Sequence, residues 1–101
     1  MWSLNEIVRL LNTHHQRASY GAVAGVLRII PRGLMAGRSA SHQYSWIVAK
    51  SDSRKNGSRR GWPTGYTTAE IHPECLRQIQ TNPDNFIEDE QDLEHWLKVH
   101  S

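Results

Sequence analysis

The stretch SYGAVAGVLRIIPRGLMAGRSA, Ser19–Ala40, decides the fold. Ser19 is an N-cap type of residue, and Val23, Val26, Leu27 and Ile30 recur at the spacing of one helical face, so a helix is expected from Ser19 onward. Gly21 and Gly25 each cost up to ~1 kcal/mol of helix propensity relative to Ala, and in exchange let another backbone come close. Pro31 ends this helix, since it lacks an N–H and its ring crowds the preceding turn, yet it suits the first turn of a new one. Residues 31–39 therefore read as a second short helix, with Leu34 and Met35 inward and Arg32 and Arg38 outward. Two short helices joined by a tight turn, after a longer first helix, outline a helix-turn-helix.

That first helix lies upstream. SLNEIVRLLN opens with Ser3 and Glu6 at capping-box spacing, and Leu4, Ile7, Val8 and Leu11 fall on one face with Leu10 beside them, giving a helix over roughly 3–13. THHQRA is a polar connection. Downstream, YSWIVAK (44–50) is rich in aromatic and β-branched residues and reads as a strand. A polar loop follows with Arg54, Lys55, Arg59 and Arg60 against the single acid Asp52, then GWPTGY, whose Gly, Pro and Gly demand turns. A return strand around 62–66 would make 44–66 a β-hairpin wing. Thr67 or Thr68 can cap a further turn, a regular helix is expected from Pro73, and TNPDNF is a loop. The last helix, 88–99, carries acids in its first turn and Lys98 and His100 at its end, the polarity a helix dipole favours, with Leu93, Trp96 and Leu97 inward.

Length and composition suit one domain spanning residues 1–101: 38% hydrophobic, 22% charged and 8% aromatic, with four Trp supplying large apolar area. No segment approaches the ~18 apolar residues of a membrane helix, and no basic-then-apolar leader is visible, so no membrane contact and a cytoplasmic monomer are expected. The lone Cys75 has no internal disulfide partner. The net charge of +2 hides an asymmetry. Residues 1–60 hold ten Lys/Arg against Glu6 and Asp52, net +8, while residues 61–101 hold Arg77 and Lys98 against eight acids, net −6. Either the basic half meets a polyanion, or the halves fold together and neutralise each other through surface pairs.

Catalytic and metal chemistry have little support. The six His form neither HExxH nor a paired Cys/His array, and no GxSxG, Walker A or GxGxxG pattern occurs, so no catalytic residue, metal or cofactor is expected. His72 and Cys75 have ligand-like spacing, but two ligands do not hold zinc. A nucleic-acid reading fares better. A basic loop gains by releasing condensed counterions from phosphates, Arg32 and Arg38 stand on the expected second helix, and Tyr44, Trp46 and Trp62 border the same region and can stack on an unpaired base. The competing reading for each aromatic is simple core packing.

Taken in order, Ser19-Tyr20-Gly21 with Val23-Ala24, Pro31-Arg32 with Gly37-Arg38, Val48 with Ser51-Asp52, and Gly65-Tyr66 resemble the C-terminal domain of alkylguanine-DNA alkyltransferases. They resemble still more its small, catalytically silent relatives, the alkyltransferase-like proteins. The resemblance spans about residues 4–79. It implies a helix-turn-helix that enters the minor groove and rotates an alkylated guanine into a pocket beside the strand. On that basis Ser19, Tyr20, Arg32 and Arg38 engage backbone and groove, with Tyr20 at the position that pushes on the 3′ phosphate. Arg54, Lys55, Arg59 and Arg60 hold phosphates, and Ser45 and Trp46 line the base pocket. Leu34 falls where the family has its intercalating Arg, a role Arg32 can substitute. At the family's reactive Cys this chain has Ser45, with Trp46 at the activating His; a register shifted by one puts Trp46 at the Cys instead. Neither leaves a thiolate, and Cys75 lies outside the motif, so alkyl transfer is not expected.

The expectation is thus an α/β, mainly α, domain: a winged-helix-type helix-turn-helix with a β-hairpin wing. Its expected function is non-enzymatic binding of double-stranded DNA, including recognition of an alkylated guanine and hand-off to a repair protein. Two rivals remain at this level. One is a protein-interaction module that kept the fold and lost DNA binding, its acidic helix docking a basic partner. The other is an enzyme with a Ser45 nucleophile.

Overall fold

The Ser3 hydroxyl accepts the Glu6 N–H at 3.2 Å while the Glu6 carboxylate accepts the Ser3 N–H at 3.0 Å, so the capping box forms and α1 (Leu4–His14) starts there. It ends at His15, whose left-handed backbone (φ 53°) returns its N–H to the Leu11 carbonyl. Leu4, Ile7, Val8, Leu10 and Leu11 are buried along one face. The computed structural model describes residues 2–34, 38–55 and 57–101, with Arg32 described by its backbone alone.

After α1 the chain makes a two-residue strand, β1 (Ala18–Ser19), and enters α2 (Tyr20–Leu27). Ser19 caps α2 by accepting the Ala22 N–H at 2.9 Å. The helix stops at Leu27, short of the boundary expected at Pro31. Arg28 turns left-handed (φ 59°), and the N–H groups of Arg28 and Ile29 both close back on the Ala24 carbonyl. That conformation costs a residue with a Cβ about 1–2 kcal/mol. Pro31–Gly33 is then a single 3-10 turn, and residues 38–40 are not helical, so the helix expected over 31–39 is corrected, in the described residues, to one turn. Met35, Ala36 and Gly37, where the rest of that helix was expected, lie outside the described residues. Leu34 is buried as expected.

The strand expected over 44–50 is shorter. His42–Trp46 forms a 3-10 helix, and only β2 (Ile47–Val48) is extended. β2 pairs in parallel with β1, Ala18 opposite Ile47 and Ser19 opposite Val48. β1 is lined on its other side by Ile87, through Ser19 N–H to Ile87 O at 2.8 Å and Ile87 N–H to Arg17 O at 3.1 Å. Residues 62–66 form no return strand. Gly61 (φ 85°) and Gly65 (φ 79°) turn the chain at either end of that segment, and Pro63 has no N–H to give a ladder. In place of a long hairpin, the loop closes through single bridges, Ala49 with Arg60 and Ser53 with Ser58.

A capping box at Thr67 and Glu70 starts a 3-10 turn over Thr68–Glu70. α3 (Pro73–Thr81) follows, its Glu74 N–H capped by the His72 ring, and α4 (Glu90–His100) ends the chain with Glu90 and Asp92 in its first turn and Lys98 and His100 in its last. The result is mainly helical, with a small parallel two-stranded sheet. Its core joins α1, α2, β2, α3 and α4 through Ile7, Leu11, Val23, Trp46, Ile47, Cys75, Leu93 and Leu97. Gly25 lets α4 press against α2: a Cβ there would lie 2.8 Å from the Glu90 Cβ. Among the described residues no helix is long and apolar enough to cross a membrane.

Candidate nucleic-acid interface

The basic loop grows from β2. Ala49 donates its N–H to the Trp62 carbonyl at 2.9 Å and accepts the Gly61 N–H at 2.8 Å, clamping the two ends of the loop together. Further out, Ser53 and Ser58 exchange both backbone hydrogen bonds at 2.9 Å, with Arg54, Lys55 and Gly57 beyond them at the tip. Gly57 supplies the positive φ of 70° that so tight a tip needs. Asp52, the loop's one acid, accepts the Arg60 N–H at 2.8 Å. The loop is a braced projection, not a slack connection.

Its cations divide. Arg60 points back toward the body, donating to Asp84 at 2.8 Å, to Glu88 at 2.9 Å and to the Lys50 carbonyl at 2.6 Å. The Glu88 and Asp84 hydrogen bonds raise its pKa, and Arg60 in turn holds the Glu88 carboxyl below the usual carboxylate range. Lys50 lies 3.7 Å from Asp89, an exposed pair of the kind that contributes little. Arg54 and Lys55, by contrast, are exposed and meet no acidic group among the described residues. Arg59 is exposed too, its guanidinium carbon 4.4 Å from the centre of the Trp62 ring. The neutralisation reading of the charge asymmetry holds at the stem, where Asp84, Glu88 and Asp89 pair with Arg60 and Lys50, and does not extend to Arg54, Lys55 and Arg59 among the described residues.

The stem rests on a second arginine whose role the sequence conceals. Arg17 is fully buried. Its Nη1 donates to the carbonyls of Gly61 (2.9 Å) and Pro83 (3.1 Å), and its Nη2 to those of Asn82 (2.7 Å) and Asn85 (3.1 Å). Burial lowers its pKa, with Asp84 as a partial counterweight. Phe86 lies between the two arginines, 5.6 Å from Arg17 and 4.9 Å from Arg60. Gly61 has no alternative here: a Cβ would come within 2.5 Å of the Pro83 carbonyl oxygen. Arg17 reads in sequence as one more cation in a polar connection, because its acceptors lie 44 to 68 residues away.

The remaining candidate residues are scattered. Ser19 is fully buried as the α2 cap, its hydroxyl donating to the Glu88 carbonyl at 2.8 Å. Tyr20 is half-buried and accepts the Thr64 N–H at 3.0 Å; burial raises its pKa. Thr64 also pairs with the Ser58 hydroxyl at 3.3 Å, so Tyr20 braces the root of the loop. Arg38 is exposed, and its segment meets the same region where Ser41 N–H reaches the Tyr66 hydroxyl at 3.4 Å. The side chain of Arg32 lies outside the described structure.

Ser45 and Trp46 are fully buried and so line no opening in this conformation. The Ser45 hydroxyl donates to the His42 carbonyl at 2.6 Å and accepts the His72 N–H at 3.0 Å. Trp46 donates its indole N–H to Asn12 Oδ1 at 2.8 Å and is covered by His15, stacked at 5.4 Å, and His72 at 5.3 Å. Burial pushes the Cys75 thiol up to about 11, which leaves it a weak nucleophile. Among the described residues no group of three or more His, Cys, Asp or Glu could hold a metal ion. Set against known proteins, the chain matches no family model, no curated protein and no solved structure.

Proposed function

We propose that this chain is a non-enzymatic DNA-binding domain of winged-helix type, related to the alkyltransferase-like proteins, that acts in the cytoplasm. The observation that carries the reading is the braced loop with Arg54 and Lys55 exposed at its tip and Arg59 exposed beside Trp62, while Arg60 is occupied in holding its stem. Cations presented on a rigid projection gain from counterion release with little further entropic cost of ordering. Arg38, also exposed, is a further cation for the DNA backbone. Tyr20, at the start of α2, braces the root of the loop through the Thr64 N–H. With Ser45 tied into the core and no thiolate beside it, the domain binds and does not transfer alkyl groups; recognition of an alkylated guanine followed by hand-off to a repair protein is the role that fits.

Fluorescence anisotropy with a short duplex, with and without one alkylated guanine, across a salt series tests this. With three or four phosphate contacts, log affinity falls against log salt with a slope of about −2.7 to −3.6. Tighter binding to the modified duplex supports lesion recognition. Equal binding to both leaves a general DNA-binding domain. No binding at low salt sinks the nucleic-acid reading. A second reading, a protein-interaction module, is favoured by one feature, the adjacent exposed apolar pair Ile29 and Ile30 (46% and 60% exposed), and takes precedence in that last case.

A further inference from the structure

Trp62 is an aromatic residue of this loop that the fold holds in place without hiding it. Its N–H donates to the Arg59 carbonyl at 3.0 Å and its own carbonyl accepts from Ala49 at 2.9 Å, so the backbone around it is pinned on both sides. Gly61 and Pro63, its two neighbours, are buried, and Thr64 is tied to both Tyr20 and Ser58. The indole is half-buried against the core, and the guanidinium of the exposed Arg59 lies over it at 4.4 Å. Arg59 has no acidic partner among the described residues, although acids are plentiful at the stem a few residues away. A planar guanidinium seated on an indole and open on its outer side is a stacking surface for a flat, electron-rich ring.

We infer that Arg59 and Trp62 form a stacking subsite for an unpaired nucleobase, with Arg54 and Lys55 holding the phosphates that flank it. This rests on the nucleic-acid reading above and adds the form of the ligand: a strand with at least one base out of its helix, since a base stacked within a duplex has no free face to lay on the Arg59 guanidinium. The subsite is separate from Trp46, which no base reaches without opening the core. It asks for no rearrangement beyond the tip, because the indole and the arginine already stand in contact. The ligand chemistry, a stacked base beside a phosphodiester, is common to single-stranded DNA and RNA.

The test compares four labelled probes of equal length by anisotropy at one salt concentration: oligo-dT, oligo-U, a fully abasic deoxyribose-phosphate strand and a perfect duplex. The wild-type chain should bind oligo-dT or oligo-U roughly tenfold more tightly than the abasic strand, the effect of one stacked base. Preference between dT and U assigns the natural strand. Trp62→Leu should erase that difference and leave duplex and abasic binding unchanged. Arg59→Lys, at an exposed position that keeps the charge, should lose most of it, and Trp62→Tyr should restore much of it. Equal wild-type binding to oligo-dT, oligo-U and abasic strands overturns the subsite while leaving general DNA binding intact. An equal loss on all four probes in Arg59→Lys also overturns it, since the pair would then serve only the fold or the net charge. Binding to none of the four fails the nucleic-acid reading itself.

Discussion

Two groups of cations stand around one loop and meet opposite fates. Arg17 and Arg60 turn inward, the first into four backbone carbonyls, the second onto Asp84 and Glu88, with Phe86 between them. Arg54, Lys55 and Arg59 turn outward and meet no acid among the described residues. The residue types are the same; what differs is whether the fold brings acceptors within reach. A basic composition is therefore a poor count of the charges available to a ligand. Here the inward pair commits its charge to the platform from which the outward set projects.

The largest difference is expected at Arg17. Arg17→Met should destabilise the chain by about 3–5 kcal/mol, read from urea denaturation, because four carbonyls, that of Gly61 buried and the others part-buried, lose one charged donor together. Arg17→Lys should recover only part of this, since one ammonium cannot span two pairs of acceptors. A loss below about 1 kcal/mol for Arg17→Met would break the claim that this arginine is an internal strut.

Arg60→Gln should lower the melting temperature by less than Arg17→Met does and open the 50–60 segment to protease. The sign of its pH dependence follows from Glu88. A carboxyl held below its ordinary pKa of 4.5 in the folded state stabilises the fold above that value, and the contribution fades as pH falls through the lower, folded pKa. The gap between the wild-type and Arg60→Gln melting temperatures should therefore be full and constant above about pH 5 and close as pH falls below 4.5. A gap independent of pH would mean that the ion pairs are not what Arg60 supplies.

The outward set should show the smallest effect on stability. Arg54→Ala, Lys55→Ala and Arg59→Ala together should leave stability within about 0.5 kcal/mol of wild type. They should nevertheless flatten the salt dependence of DNA binding by about 0.9 in slope for each phosphate that is no longer neutralised. If the triple variant binds DNA as before, the tip is not the interface, and the division between inward and outward cations loses its functional meaning.

Local chemistry alone determined a good part of this molecule. Ser3 with Glu6, Ser19 before α2, Pro73 at the head of α3 and the charge order of α4 each act through neighbours within four residues, and each appears where the pattern placed it. The apolar faces of α1 and α4 follow from helical periodicity in the same way. Patterns that depended on a distant partner were read less well. The run 44–50 has strand composition, but only Ile47 and Val48 find a partner, in parallel with β1, and the turns at Gly61 and Gly65 leave no return strand beside them. The helix from Ser19 stops at Leu27 because Arg28 accepts a left-handed backbone, a choice that residue type argues against.

The candidate site divides along the same line. A basic loop was legible as charge, and Trp62 as an aromatic beside it. Which arginines remain free was not, because Asp84 and Glu88 reach Arg60 across 24 and 28 residues of chain. Trp46 and Ser45 carry the chemistry of a pocket yet close into the core against His15, His42 and His72. Helix starts are settled by capping hydrogen bonds a few residues long, so sequence determines them. Exposure is settled by which surfaces meet after the chain has folded, and that only the tertiary structure decides.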